Sequence, residues 1–86
     1  MYSYDISEVL RKKLIKIAKR DKILAQNFYK KVQEIITRNN VEMYKNLRSP
    51  LQEYKRIHLT DNYILLFIVK QDHIIFIDIR HWDTIF

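Results

Sequence analysis

The first forty residues place apolar side chains at the spacing of amphipathic helices. Intervals of three and four residues bring such side chains onto one face, so two helices are predicted. The first begins at a capping box over residues 5–8 (DISE), and Asp21 caps the second. Asn39 and Asn40 end the second helix, and the short link predicts an antiparallel hairpin. The apolar positions are Val9, Leu10, Leu14, Ile17 and Ala18 in the first helix, and Leu24, Ala25, Phe28, Val32, Ile35 and Ile36 in the second.

After residue 53 the pattern changes to that of β-strands. Ile, Leu, Phe and Tyr dominate three segments, and short polar stretches separate them. We therefore predict a β-meander, with residues 2–6 as a short additional edge strand. The fold class is α+β: an N-terminal antiparallel helical hairpin packed on a small 3–4-stranded antiparallel β-sheet. The predicted strands are residues 54–59, 63–70 and 73–80, with turns at 60–62 and 71–72.

Strict alternation along these strands sorts their residues onto two faces. The face predicted to receive the helices holds Ile57, Leu59, Leu65, Phe67, Val69, Ile75, Ile77 and Ile79. The other face holds Tyr54, Arg56, His58, Ile64, Leu66, Ile68, Ile74, Phe76, Asp78 and Arg80. Because two helices cover only one side, the apolar residues of this second face predict a covering partner, which could be a second copy, another chain or the protein's own C-terminal tail. The alternative is that Tyr54 and the long stems of basic residues cover them.

Length and composition limit the classes of function. The 86 residues form one predicted domain, with the helical hairpin in residues 1–40, a connection containing Pro50 in 41–53, and the meander with its tail in 54–86. The absence of cysteine excludes disulfides and thiolate zinc sites, and the absence of glycine excludes glycine-rich phosphate loops. The longest apolar run, residues 63–69, is too short to cross a membrane, and no signal peptide is apparent. A cytoplasmic protein is expected.

The chain is strongly basic. Sixteen Lys and Arg residues against ten Asp and Glu give a formal net charge of +6. Such a charge favours a polyanionic partner, although it would also serve solubility alone. The polar face of the first helix suits contact with an RNA backbone and equally suits a solvated surface. Its basic residues are Arg11, Lys12, Lys13, Lys16, Lys19 and Arg20.

Four segments of the C-terminal half form a recognisable combination: residues 47–50 (LRSP), 54–59 (YKRIHL), 61–67 (DNYILLF) and 79–86 (IRHWDTIF). Together they resemble the RelE/ParE superfamily of toxins, which belong to bacterial and archaeal toxin–antitoxin modules. The order of elements over the whole chain, a helical hairpin followed by a β-meander, is also similar to that of the family.

This resemblance implies a toxin that a cognate antitoxin neutralises, with the two proteins forming a heterotetramer. Ribosome-dependent members of the family cut mRNA in the ribosomal A site. There the RNA's own 2′-OH attacks the adjacent phosphate, without a metal or other cofactor. Such a reaction needs a proton acceptor, cations beside the charged phosphorane and a donor for the leaving oxygen. The implied partners are therefore the antitoxin, the ribosome and mRNA, and no membrane.

The resemblance also suggests which residues fill these roles. Arg80, His81, Arg56 and His58 are the catalytic candidates, since together they could hold and cut a phosphodiester. The alternative is that His58 is a strand-face residue with a hydrogen-bonded ring and that His81 is a terminal surface residue. The RNA-binding candidates are Lys55, Trp82, Phe86 and Arg48.

Three positions depart from the family's pattern. Ile64 stands in place of a phosphate-contacting Arg, Trp82 in place of the closing Arg and Phe86 in place of the closing Tyr. Phe86 can stack on a base but cannot transfer a proton. Trp82 can stack on a base, anchor a partner or pack the C-terminal tail onto the sheet. These departures leave two alternatives open: a ParE-like inhibitor of DNA gyrase, and a catalytically degenerate binding protein with the toxin fold.

Overall fold

Two consecutive helices cover one face of a four-stranded β-sheet in the computed structural model, which describes residues 2–38 and 54–84. The predicted α+β class and the helical hairpin are confirmed. Neither helix in these two ranges is long and apolar enough to cross a membrane. The predicted helix end at Asn39–Asn40 and the connection 41–53 lie outside the described residues. The elements are β1 (Ser3–Ile6), α1 (Glu8–Arg20), α2 (Lys22–Thr37), β2 (Lys55–His58), β3 (Tyr63–Lys70), β4 (His73–His81) and a 3-10 turn (Trp82–Thr84).

Side-chain caps begin both helices, one of them two residues later than predicted. The Oγ of Ser7 accepts the Leu10 N–H at 3.1 Å, so Ser7 caps α1, and Asp5 belongs to β1. The Ser7 N–H still donates to the Phe76 carbonyl at 2.9 Å, which keeps the chain extended up to that point. The predicted cap of α2 is confirmed, because Asp21 Oδ1 accepts the Leu24 N–H at 3.0 Å.

The sheet has the strand order β1-β4-β3-β2. β2, β3 and β4 form the predicted antiparallel meander, whereas the additional strand β1 runs parallel to β4 and makes the sheet mixed. β1 ends at Ile6, opposite Phe76, while β4 continues to His81. Among the described residues, the second half of β4 therefore has no strand on its outer edge, and α1 lies there instead.

A β-bulge interrupts the pairing of β3 with β4. The register shifts between Leu66 and Phe67, which leaves Ile77 as an extra residue in β4. A bulge of one residue reverses the alternation of side chains along the strand. Before the bulge the even-numbered residues of β4 therefore face the helices, and after it the odd-numbered residues do.

This reversal overturns the predicted placement of four residues. Ile74 and Phe76, predicted on the outer face, belong to the core beneath the helices and are fully buried. Ile75 and Ile77 lie on the outer face and are only half-buried. The outer face therefore keeps two apolar residues from this part of β4, but they are half-buried isoleucines in place of the predicted Ile74 and Phe76.

The main core lies between the sheet and the helices. Three buried Phe rings mark its centre, with Phe76 lying 5.9 Å from Phe67 and 6.2 Å from Phe28 between ring centroids. Aromatic rings in such tilted and edge-to-face pairs add specific contact energy to the burial of apolar area. A second, smaller apolar cluster on the outer face is built from Ile64 and Leu66.

Candidate functional site

The outer face of the sheet surrounds two buried aliphatic residues of β3, Ile64 and Leu66, with charged side chains. Their cross-strand neighbours are His58 and Arg80 beside Ile64, and Arg56 and Asp78 beside Leu66. Strands lie about 4.8 Å apart, so the backbones of β2 and β4 are about 10 Å apart across this floor. The sheet therefore holds basic groups on both sides of an apolar surface.

Trp82 lies over this floor. The backbone N–H of Trp82 donates to the Asn62 carbonyl at 2.8 Å, and the indole ring packs against Ile64 and Leu66. The Arg56 guanidinium carbon lies 4.9 Å from the centroid of the Trp82 ring, a cation–π distance, and the His58 ring centroid lies 5.1 Å away. Trp82 thus packs the tail onto the sheet and brings two candidate residues together. We call Arg56, His58, Arg80 and Trp82 the outer-face cluster.

A buried carboxylate fixes the Arg80 side chain. Arg80 Nε donates to Asp78 Oδ2 at 2.9 Å, and Lys13 Nζ donates to Asp78 Oδ1 at 2.7 Å. Burial acts to raise the pKa of Asp78, but the hydrogen bonds from Lys13, Arg80 and the Ile79 N–H outweigh it and hold that pKa below its ordinary value. Asp78 therefore remains ionised, and it keeps Lys13 and Arg80 in place.

His81 does not join the outer-face cluster. It lies opposite Tyr63 on the side of the helices, and the two ring centroids are 5.3 Å apart in an edge-to-face arrangement. The Asp83 N–H donates to His81 Nδ1 at 3.3 Å, and the same Nδ1 lies 3.6 Å from Asp83 Oδ2. Consecutive residues of a strand point to opposite faces, so Arg80 and His81 cannot both face the floor.

The RNA-binding candidates have different positions. Lys55 is only 6% exposed and lies opposite Phe67, on the face beneath the helices. A buried ammonium on that side is not available to RNA at the outer face, so Lys55 is not part of the cluster. Trp82 is in the cluster, whereas Arg48 and Phe86 lie outside the described residues.

A cleft that sequence reasoning missed opens where α1 runs along the free edge of β4. We call it the edge cleft; its volume is about 500 Å³, and Lys13, Lys16 and Arg20 line one side while Tyr63, Arg80 and His81 line the other. The sequence showed the basic residues of α1. It gave no signal that β1 stops early and leaves the edge of β4 open to them.

The described ranges 2–38 and 54–84 contain no group of three His, Cys, Asp or Glu side chains that could hold a metal ion. Arg80 belongs both to the outer-face cluster and to the edge cleft, and so connects the two surfaces.

Comparison with known proteins finds similarity over the full chain. No family model matches. The chain is 40% identical over 88 residues to a Methanocaldococcus jannaschii protein whose name assigns it to the RelE toxins (RelE4), and the alignment covers all of this chain and 92% of that protein.

Solved structures share the fold at low sequence identity. A chain of the heterotetrameric YoeB–YefM toxin–antitoxin complex from Staphylococcus aureus matches with a TM-score of 0.77 at 15% identity, over 94% of this chain and 97% of that one. A metal-bound toxin from Helicobacter pylori matches with a TM-score of 0.78 at 21% identity, over 100% of both chains. At these identities the likeness concerns the fold alone.

Proposed function

Because this chain belongs to the RelE/ParE superfamily of toxins, we propose that it is the toxin of a toxin–antitoxin module and acts as a ribosome-dependent mRNA endoribonuclease. The toxin assignment follows from the full-length similarity to a RelE toxin. The observation that supports cutting is the outer-face cluster, in which His58 and Arg80 flank one buried residue and Arg56 stacks on Trp82.

The cluster supplies the groups that metal-free phosphodiester cleavage requires. A phosphate above Ile64 would lie between His58 and Arg80. His58 accepts the proton of the attacking 2′-OH, and the guanidinium groups of Arg80 and Arg56 stabilise the charge on the phosphorane. The ribosome or solvent supplies a proton to the leaving 5′-oxygen.

Preorganisation favours Arg80 in this role. The hydrogen bond from Arg80 Nε to Asp78 fixes the orientation of the guanidinium group. The other N–H donors of Arg80 therefore lose less conformational entropy when they bind a phosphate. The buried Ile64 and Leu66 exclude water from one side of the site, which strengthens charge–charge interactions above them. Trp82 offers an aromatic face on which a neighbouring base can stack.

The antitoxin partner is part of this proposal. The YoeB–YefM toxin–antitoxin heterotetramer supports such an assembly for a protein of the same fold. The net charge of +6 suits an acidic antitoxin, and the half-buried Ile68, Ile75 and Ile77 on the outer face provide apolar contacts for it. An antitoxin bound there would cover the cluster and block access to RNA.

One observation favours a second candidate, a toxin-fold protein that binds without cutting. Ile64 fills the centre of the floor where the family pattern has a phosphate-contacting Arg, and it is fully buried. If the flanking His58 and Arg80 do not compensate for that missing cation, the chain binds its target without cleaving it. If the target that it binds is DNA gyrase, a supercoiling assay detects the inhibition.

The test is primer extension on a reporter mRNA in a reconstituted translation reaction, with and without the purified chain. We expect new mRNA ends that require ribosomes, and we expect Arg80→Ala and His58→Ala to reduce their yield at least about a hundredfold. Lys30→Ala, an exposed change on α2, serves as the control and should cut normally. Absence of cuts with the unaltered chain would refute the nuclease and direct attention to gyrase.

A further inference from the structure

We propose that the edge cleft binds a backbone phosphate of the RNA and that Lys16 and Arg20 are its ligands. This inference rests on the proposed function, because it concerns the same RNA strand that lies on the outer-face cluster. It assigns a second contact site to that strand, on the helix side of β4, beyond the outer-face cluster.

The walls of the cleft are fixed by hydrogen bonds between α1 and the unpaired edge of β4. Ser7 Oγ donates to the Ile77 carbonyl at 2.6 Å, and Lys13 Nζ donates to the Ile79 carbonyl at 2.9 Å. These two contacts take the place of strand pairing along this edge. They hold α1 and the residue that caps it against this edge of β4.

The charges within the cleft are not balanced. Lys13 and Arg80 both pair with Asp78, so one carboxylate serves two cations. The other carboxylate in the lining, Asp21, accepts the Leu24 N–H as the cap of α2. Neither carboxylate makes an ion pair with Lys16 or Arg20.

Lys16 and Arg20 have no hydrogen-bond or ion-pair partner for their side chains within residues 2–38 and 54–84. Both are exposed, and they stand four residues apart on α1, where like charges repel and weaken a helix slightly. The helix dipole stabilises the positive charge of Arg20, which lies in the last turn of α1. Lys16 lies further from the carboxyl end of the helix, where this stabilisation is weaker. An anion between the two side chains would remove this repulsion.

The position of the cleft suits an RNA phosphate better than an isolated anion. Its volume of about 500 Å³ is in the usual range for ligand sites. The Tyr63 and His81 rings on the opposite wall offer apolar and polar contacts to a ribose or base. Since Arg80 lines the cleft and also flanks Ile64, a strand leaving the outer-face cluster over the edge of β4 meets Lys16 and Arg20 next.

The experiment compares two variants that lose the same charge. One carries Lys16→Gln with Arg20→Gln, and the control carries Lys30→Gln with Lys70→Gln, two exposed lysines that do not line the cleft. Fluorescence anisotropy with a short fluorescein-labelled single-stranded RNA gives the affinity across a salt series. Thermal unfolding by circular dichroism checks that both variants fold.

We expect the cleft variant to bind RNA about tenfold more weakly and to lower the slope of log K against log salt by about 0.7, the value for one lost single-strand phosphate contact. The control should change the affinity by less than about threefold. Equal losses in both variants, or no loss in the cleft variant, would overturn the inference.

Cleavage in the translation reaction is measured separately on the same proteins. If the unaltered chain cuts no mRNA but its RNA affinity depends on Lys16 and Arg20, the proposed nuclease fails and the phosphate site stands. If the unaltered chain cuts mRNA and the cleft variant binds RNA as tightly as the control, the nuclease stands and the phosphate site fails.

Discussion

The two faces of the sheet differ in what their apolar residues do. Beneath the helices, the Phe28, Phe67 and Phe76 rings pack in a continuous core with no exposed surface. On the outer face, Ile64 and Leu66 are the only buried apolar residues among those that the structure describes, and charged or polar groups surround them. The first face is built to stabilise the fold, whereas the second uses a small apolar floor to position cations.

This difference implies that stability and function are separable by position. A change beneath the helices should reduce the free energy of unfolding strongly and affect RNA only through loss of the fold. A change in the outer-face cluster should reduce stability less and affect RNA binding or cutting directly. Four substitutions test this contrast.

Phe76→Ala should have the largest effect on stability. Its ring contacts Tyr4, Phe28 and Phe67, and the side chain is fully buried, so its removal leaves a cavity. We expect the free energy of unfolding to fall by about 3–5 kcal/mol, measured by urea denaturation. A loss below about 1 kcal/mol would contradict the placement of Phe76 in the main core and, with it, the bulge at Ile77.

Trp82→Ala should have a smaller effect on stability and a larger one on RNA. The ring is half-buried on the aliphatic floor, so we expect a loss of about 1–2 kcal/mol in thermal or urea unfolding. Cutting and RNA affinity should both decrease, because Arg56 and His58 lose the ring that orients them. Trp82→Phe is the matched control and should retain most of the stability. If Trp82→Ala is as stable as the unaltered chain, the ring contributes no packing.

Asp78→Asn should cost about 1 kcal/mol at neutral pH, because Lys13 and Arg80 lose a charged partner but remain partly exposed to water. Since folding lowers the pKa of Asp78, its contribution to stability is present above the ordinary Asp pKa and is lost as pH falls through the lower, folded-state value. Urea unfolding of both proteins from neutral to acidic pH should therefore show their stabilities converging at low pH. A difference that stays constant down to the acid limit would contradict this assignment.

The interaction free energy between Arg56 and Trp82 should be the smallest of the four effects on stability. A double-mutant cycle with Arg56→Ala and Trp82→Ala should give an interaction energy of about 0.5–1 kcal/mol, the range of a partly exposed cation–π contact. The measurement is urea unfolding of the four proteins. Additive changes would mean that the 4.9 Å approach in the structure contributes nothing to stability.

The sequence predicted the positions of the helices and strands better than it predicted which side chains of the sheet face the helices. Helical spacing located α1 and α2, and Asp21 signalled the start of α2 because its side chain caps locally. The capping box at Asp5 failed because β1 pairs with β4, a contact between residues far apart in the sequence. No local pattern reveals that pairing, so Ser7 could not be distinguished as the cap.

The bulge explains most of what was wrong at the outer face. Residues 74–77 are all large and apolar, so nothing in their pattern indicates where the alternation reverses. Arg56, His58 and Arg80 were still placed correctly on one face, because they lie on β2 or beyond the bulge. The roles of Lys16 and Arg20 depended on where α1 meets β4, which only the tertiary structure gives.

The parallel pairing of β1 with β4 also sets the order in which the protein can be completed. Ser3 and His73 are neighbours in the sheet although 70 residues separate them in the chain. During synthesis the helices and the first strand emerge long before their partner exists, so β1 must wait until β4 has been made. The same late strand carries Arg80 and the Asp78 that holds it. The nascent chain therefore cannot assemble its proposed toxic surface until β4 has left the ribosome.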